Sequence, residues 1–306
     1  MTGANGNGNG KVLGPWVDGL RVGSTATARA YAFVVGRFLE SADKGIAEIT
    51  VGDALLYVGE LSRSGLARAS VAHHISAVRS FLRHCQGLGL IPMSPLDALR
   101  RPRVSITSAN RYLTKRECER LLRGARAVSW GCYLATAVML YTGLRVNELC
   151  QAEWRHLYRD PDGRLGLLVV NGKGGKERFV AVQTPLWKLI QEDRKHRGLS
   201  ARLNARDRAP LVARPRTGTR YDQPNVWRLL RRAATVAGLD KPLSPHWLRH
   251  SFGTLAAHAG ATAFELQRDM GHAQITTSQR YVHMSIGLRD SAANKVHLRL
   301  PAGEGR

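Results

Sequence analysis

Arg145, Lys173, His246, Arg249, His272 and Tyr281 are polar residues standing where packing alone would not ask for them. Arg145 follows the Thr142-Gly143 break at the end of an apolar run, which places a cation near the interior, and a buried arginine needs an anion. Lys173 lies at the tip of a glycine-rich turn, from which its ammonium can reach outward. His246 and Arg249, at i and i+3, share one face at a helix start just after Pro245. Unpaired backbone N–H groups and the helix dipole favour an anion there, with phosphate the first candidate. His272 closes the run "DMGH", and Tyr281 follows nine residues later within "TTSQRYVHM".

Taken singly, each has an ordinary explanation; a lone tyrosine is most often a half-buried packing residue with a wet hydroxyl. Together they form a kit for phosphodiester chemistry. Two arginines can clamp the non-bridging oxygens of one phosphodiester and neutralise the charge that builds in a pentacoordinate transition state. A histidine and a lysine offer proton transfer near neutral pH. A tyrosine can attack phosphorus and become a covalent phosphotyrosyl intermediate. No acidic cluster for Mg²⁺ is visible, the arginines would make a metal unnecessary, and no cofactor is expected.

The elements that must position this kit can be read from periodicity. From Ser24 or Thr25, Tyr31, Val35, Phe38 and Leu39 fall on one helical face, with Gly45 as the stop. A second helix starts at Thr50, with Asp53 completing a capping box and Leu55, Val58 and Leu61 supplying the apolar side. In the third, Val71, Ile75, Val78 and Leu82 form the stripe while His73, Arg79 and Arg83 point elsewhere, on a face able to meet a phosphate backbone. Prolines and a basic, aperiodic stretch then mark an extended linker.

Beyond it, Thr114 and Glu117 make a second capping box, and the run Cys132 to Tyr141 is apolar nearly all round, as a central helix requires. Two β-rich runs flank Gly-Lys-Gly-Gly, a hairpin signal, and helices follow in "NVWRLLRRAATVAGL", "HWLRHSFGTLAAHAG" and "TAFELQRDMGH".

Charge is the strongest global signal. The 46 Lys and Arg against 23 Asp and Glu leave the chain at +23. Residues 1–100 hold 10 basic and 7 acidic side chains, residues 101–306 hold 36 and 16. A basic surface of this size recruits polyanions and makes their binding salt-dependent, so nucleic acid is the expected partner. Cys85, Cys118, Cys132 and Cys150 show neither CxxC pairs nor ligand spacing, which argues for reduced, mostly buried thiols. No run approaches the roughly 18 to 20 apolar residues a membrane span needs. The opening "MTGANGNGNGK" lacks the apolar core of a secretory signal, so a cytoplasmic location is expected.

The order "TGLRVNEL", "GKGGKER", "HWLRH", "MGH" and "RYVH" closely resembles the tyrosine recombinase (phage integrase) family, its Xer-like branch in particular. The stretch "VAHHISAVRSFLRHCQGLGLIPMSPLDALRRPR" looks like the last helix and exit of that family's N-terminal core-binding domain. The resemblance implies a mainly α fold with a small β-hairpin or sheet (α+β), arranged as a two-domain clamp. A helical, SAM-like core-binding domain at 15–100 and a linker at 101–112 would precede a catalytic domain at 113–300. The Gly- and Asn-rich composition of the opening residues, which has no counterpart in the family, marks a disordered tail at 1–14, and a short tail is expected at 301–306.

It further implies that Tyr281 is the nucleophile, joining the 3′ side of the broken strand and releasing a 5′ hydroxyl. Arg145 and Arg249 would bind the scissile phosphate. Lys173 would be the general acid for the leaving oxygen, with Lys176 a nearby competitor. His246 would assist proton transfer with Tyr281, and His272 would contact the phosphate. Glu148, one turn after Arg145, matches an acidic position that orients the arginine or a histidine, or else is a helix charge pair.

The function implied is site-specific recombination of double-stranded DNA at specific sites through a Holliday junction. A homo-tetramer, or a mixed tetramer with a paralogue, would work in the cytoplasm on nucleoid DNA with no membrane partner. A type IB topoisomerase-like activity and a non-catalytic DNA-binding protein are the alternatives. The sequence does not say whether the task is integration, excision or dimer resolution.

Overall fold

The computed structural model describes residues 9–23, 25–97, 111–170 and 177–285. The chain divides into two compact units, Met1–Ile106 and Thr107–Arg306. Among the described residues no helix is long and apolar enough to cross a membrane.

The first unit contains α1 (Gly10–Gly23), α2 (Thr25–Ala42), α3 (Val51–Arg63) and α4 (Arg68–Gly87). Its core is the α4 stripe of Val71, Ile75, Val78 and Leu82 packed with Val35, Phe38 and Leu39, all buried. Thr50 caps α3 by accepting from the Asp53 amide while Asp53 accepts from the Thr50 amide at 2.8 Å. That satisfies two of the unpaired donors at the helix start.

Three details differ from expectation. The tail expected at 1–14 is helical from Gly10 onward. Trp16 is buried edge-on against Phe81 with ring centroids 5.3 Å apart, and the Asn9 side chain bridges Lys44 O and the Ile46 amide, so burial and hydrogen bonding order a segment of poor helix propensity. On α3 the buried residues are Ala54, Tyr57 and Leu61, and Leu55 faces outward, because the Tyr57 ring takes the place against Phe38. Arg79 is buried rather than outward-facing and donates to Leu96 O at 2.7 Å, whereas Arg83 is exposed and pairs with Asp97 at 3.0 Å.

The second unit holds α5 (Lys115–Val128), α6 (Trp130–Thr142), α7 (Val146–Gln151), β1 (Leu157–Arg159), β2 (Leu165–Val170), β3 (Glu177–Ala181), α8 (Thr184–His196), α9 (Gln223–Val236), α10 (Pro245–His258), α11 (Ala263–Met270) and α12 (Ile275–Ser285). Thr114 and Glu117 form the predicted capping box of α5. α6 is buried on nearly every side, as its uniformly apolar sequence requires, and packs against α5, α8, α9 and α10. The hairpin is part of a three-stranded antiparallel sheet in the order β1-β2-β3, with Val170 opposite Glu177 at the described end of the β2–β3 ladder.

α10 rests on α6 from one side and on α11 and α12 from the other, which places its first two turns between the C-terminal ends of α6 and α11. The four cysteines are free, and burial pushes their thiols up to about 11.

Candidate active site

Helices α6 and α11 both end on a left-handed glycine, Gly143 (φ 64°) and Gly271 (φ 62°). Such an end leaves backbone carbonyls without intrahelical partners at the negative end of the dipole, where a guanidinium is welcome. Arg249, 5% exposed, donates through Nη1 to Gly143 O at 2.7 Å and through Nη2 to Met270 O. Arg145 donates through Nη2 to Gly271 O at 3.0 Å. Gly143 has no room for a side chain, since a Cβ there would lie 2.4 Å from the Phe252 ring.

Glu148 is the anchor between the cations. One of its oxygens accepts from the Arg145 amide at 2.7 Å, the other from Arg145 Nη1 at 2.9 Å. Arg178 of β3 grips the same carboxylate with Nη1 and Nη2 at 2.8 and 2.7 Å, and its Nε donates to Asp269 O at 2.8 Å. Burial alone would push the Glu148 carboxyl up, but the bonds and charge of Arg178, joined by those of Arg145, hold it down at about 2. Glu148 thus compensates two arginines, while Arg145, with 34% of its side chain exposed, still faces the groove.

His246 stands in the first turn of α10, and desolvation of its charged form by the surrounding protein, then the charges of Arg249 and Arg145, lower its pKa. His272 follows Gly271, with Nδ1 2.8 Å from Ser278 Oγ and its ring near-parallel to that of Tyr281, centroids 6.1 Å apart. Tyr281 is 6% exposed, and its hydroxyl lies 2.7 Å from Nδ1 of His250. Arg249, although buried and brought down to about 10 by that burial and by Arg145, remains charged at neutral pH. A groove of about 1100 Å³ passes over Arg145, Arg178 and His272, between β3 and α11. Among the described residues no group of three or more His, Cys, Asp or Glu side chains is placed to hold a metal ion.

The structure therefore gathers Arg145, His246, Arg249, His272 and Tyr281 into one cluster; Lys173 and its competitor Lys176 lie outside the described residues. Two members were not singled out from the sequence. Arg178 sits in "GKGGKER", and its clue was strand alternation: two positions from buried Val180, it points inward. His250 sits in "HWLRH", but nothing local shows that it faces α12.

The electrostatics predict a proton linkage. His272 is lowered from 6.5 to about 4, first by burial and then by Arg249, Arg145, His250 and Arg178. Between those values the unfolded chain binds a proton that the folded one refuses, so the free protein loses stability as pH falls through that window. A phosphate placed among the arginines offsets their field and raises the imidazole pKa, so DNA binding should take up protons near about pH 5.5. Calorimetry in buffers of different ionisation enthalpy should show that uptake, reduced in His272→Gln; an unreduced uptake would contradict the assignment.

Family models match both units of the chain. A model described as "Phage integrase family" matches residues 111–286, and "Phage integrase, N-terminal SAM-like domain" matches residues 19–85. Tyrosine recombinase XerD of Chlorobaculum tepidum is 32% identical over 249 residues, covering 78% of this chain and 78% of that protein. Tyrosine recombinase XerA of Thermococcus kodakarensis is 30% identical over 276 residues, covering 90% of each. Among solved structures, a lambda integrase dimer bound to a COC′ core site shares the fold at a TM-score of 0.71 and 18% identity, covering 89% of this chain and 94% of that one. The chain belongs to the phage integrase family of tyrosine recombinases, enzymes that cleave and rejoin DNA.

Proposed function

We propose that this chain cuts and rejoins specific DNA sites by transferring the 3′ phosphate of the broken strand to Tyr281, without a cofactor. The observation that carries this reading is the Tyr281 hydroxyl held against His250 beside the paired guanidiniums of Arg145 and Arg249. Arg145 and Arg249 bind the scissile phosphate and stabilise the charge that accumulates on its oxygens. His272 contacts the same phosphate, His246 assists proton transfer with Tyr281, and Lys173 protonates the departing 5′ oxygen. The phosphotyrosyl bond conserves the energy of the cleaved phosphodiester, so a 5′ hydroxyl from a partner strand can attack it without ATP.

Residues 15–100 grip the duplex as a core-binding domain, residues 113–300 form the catalytic domain, and residues 101–112 connect them. The assembly is a tetramer of this chain, alone or with a paralogue, on two synapsed sites in the cytoplasm, exchanging strands through a Holliday junction. Tetrameric assembly is supported by a lambda integrase solved as a tetramer bound to a Holliday junction.

The test is covalent trapping. The protein and its Tyr281→Phe variant are incubated, with a chelator, with nicked suicide duplexes drawn from DNA flanking the gene. A denaturation-resistant adduct on the 3′ end that requires Tyr281 is expected. An adduct that persists in Tyr281→Phe, or no adduct on any duplex that is tightly bound, would overturn the reading.

A further inference from the structure

The family motifs leave His250 without a role, yet it is the residue whose Nδ1 lies 2.7 Å from the Tyr281 hydroxyl. Three features of the packing create that contact. α12 lies along α10, so a ring on the former meets the second turn of the latter. Gly253, one turn beyond His250, lets the phenol lie flat on α10; a Cβ there would sit 3.0 Å from the Tyr281 ring carbons. The His272 ring lies near-parallel to the phenol, with its Nδ1 engaged by Ser278. The imidazole at 250 is tilted 47° to the phenol ring and half-buried, which keeps its nitrogen directed at the oxygen.

A phenol must lose its proton to become a strong nucleophile, and a base within hydrogen-bond reach is the geometric requirement for taking it. We propose that His250 is a catalytic residue of this chain: its Nδ1 accepts the phenolic proton as Tyr281 Oη attacks the scissile phosphorus, and returns it when the strand is rejoined. The step rests on the reading of Tyr281 as the nucleophile. In it the Oη–P bond forms and the P–O5′ bond breaks. The phenolic proton passes to Nδ1 of an imidazole that carries its hydrogen on Nε2. The 5′ oxygen leaves with a proton from a separate acid, the role proposed for Lys173. Rejoining reverses each transfer.

Among the described residues, charged and titratable neighbours of this pair include Arg249 on α10, whose charge acts on Tyr281, and His272 before α12, which lies in the field of His250, Arg249, Arg145 and Arg178. A bound phosphodiester offsets that mostly positive field, which allows the imidazole to accept a proton in the complex.

The test uses the full chain on the duplex that traps the Tyr281 adduct, reading the single-turnover rate of adduct formation alongside DNA affinity and thermal melting. His250→Asn keeps a polar partner for the hydroxyl but accepts no proton, and it covers the case in which His250→Ala fails to fold. Both are expected to slow cleavage about a hundredfold to a thousandfold, with DNA affinity nearly unchanged. Replacing Tyr281 by difluorotyrosine, whose phenol is ionised near neutral pH, should recover most of the loss in the His250 variants and add little to the parental protein. A 5′-bridging phosphorothiolate, whose thiolate leaves without a proton, should give them no recovery.

Cleavage at the parental rate in both variants overturns the proposal, as does slowing that difluorotyrosine does not relieve, or recovery on the phosphorothiolate. Any of these results, with a parental adduct that still requires Tyr281, overturns the role of His250 alone. Absence of a Tyr281-dependent adduct in the parental protein overturns the nucleophile reading and this inference together.

Discussion

Arg249→Lys lowers the rate of Tyr281 adduct formation by at least about a hundredfold and leaves DNA affinity within a few-fold of the parental value. The reason lies in how the guanidinium is used. Two arms of its planar fork are committed to Gly143 O and Met270 O, which fixes its plane and leaves the remaining donors to meet a phosphate. An ammonium is a single point on a flexible stem and cannot bridge both carbonyls while reaching a phosphodiester. One of these buried carbonyls loses its partner, at a cost of about 1 to 3 kcal/mol. Binding changes less, because many other cations among the 46 Lys and Arg contribute to phosphate affinity, whereas charge development in the transition state is local. Suicide-substrate kinetics beside a filter-binding titration separate the two quantities. A variant that cleaves at the parental rate removes Arg249 from the phosphate clamp.

Glu148→Gln has the largest expected effect on stability, a loss of about 3 to 5 kcal/mol at neutral pH, accompanied by a fall in cleavage rate. An amide of the same shape puts a neutral group, with two unneeded N–H donors, against Arg145 and Arg178. Arg178 is 8% exposed and loses its carboxylate partner, so a buried cation is left uncompensated. Arg145 loses the contact that holds its head beside Gly271 O.

The pH dependence identifies the carboxylate. Its folded pKa of about 2 lies below the ordinary 4.5, so its stabilisation is complete above 4.5 and is lost as pH falls toward 2. Urea denaturation should show a wide gap between parental and variant proteins at pH 7 that narrows through that acid window. A gap that stays constant with pH would place the effect in packing rather than charge.

Local signals carried well. The Thr50–Asp53 and Thr114–Glu117 capping boxes and the Val71, Ile75, Val78 and Leu82 stripe of α4 depend on neighbours within a few turns, and each appears where its pattern places it. The sequence pattern does not mark α8, and the Gly- and Asn-rich opening argues for a tail where α1 begins at Gly10. It forms because Trp16 finds a pocket built from distant residues. Arg79 and Leu55 depart from their pattern for the same reason: periodicity defines a stripe, but the neighbouring helices set which edge of it is covered.

Residue types and spacing specified the chemical inventory and its order: two arginines, the histidines and the tyrosine at fixed intervals, with the basic charge that draws them to DNA; the helix α12 that carries Tyr281 is not among the elements periodicity marks. Packing sets which nitrogen meets which oxygen. That Arg178 shares Glu148 with Arg145 and that His250 touches Tyr281 depends on β3 packing against α11 and on α12 lying against α10 at Gly253. Those are contacts between residues 30 and 31 positions apart, set by the packing of whole elements. Local propensity and periodicity act over one or two turns of chain and carry no information about them.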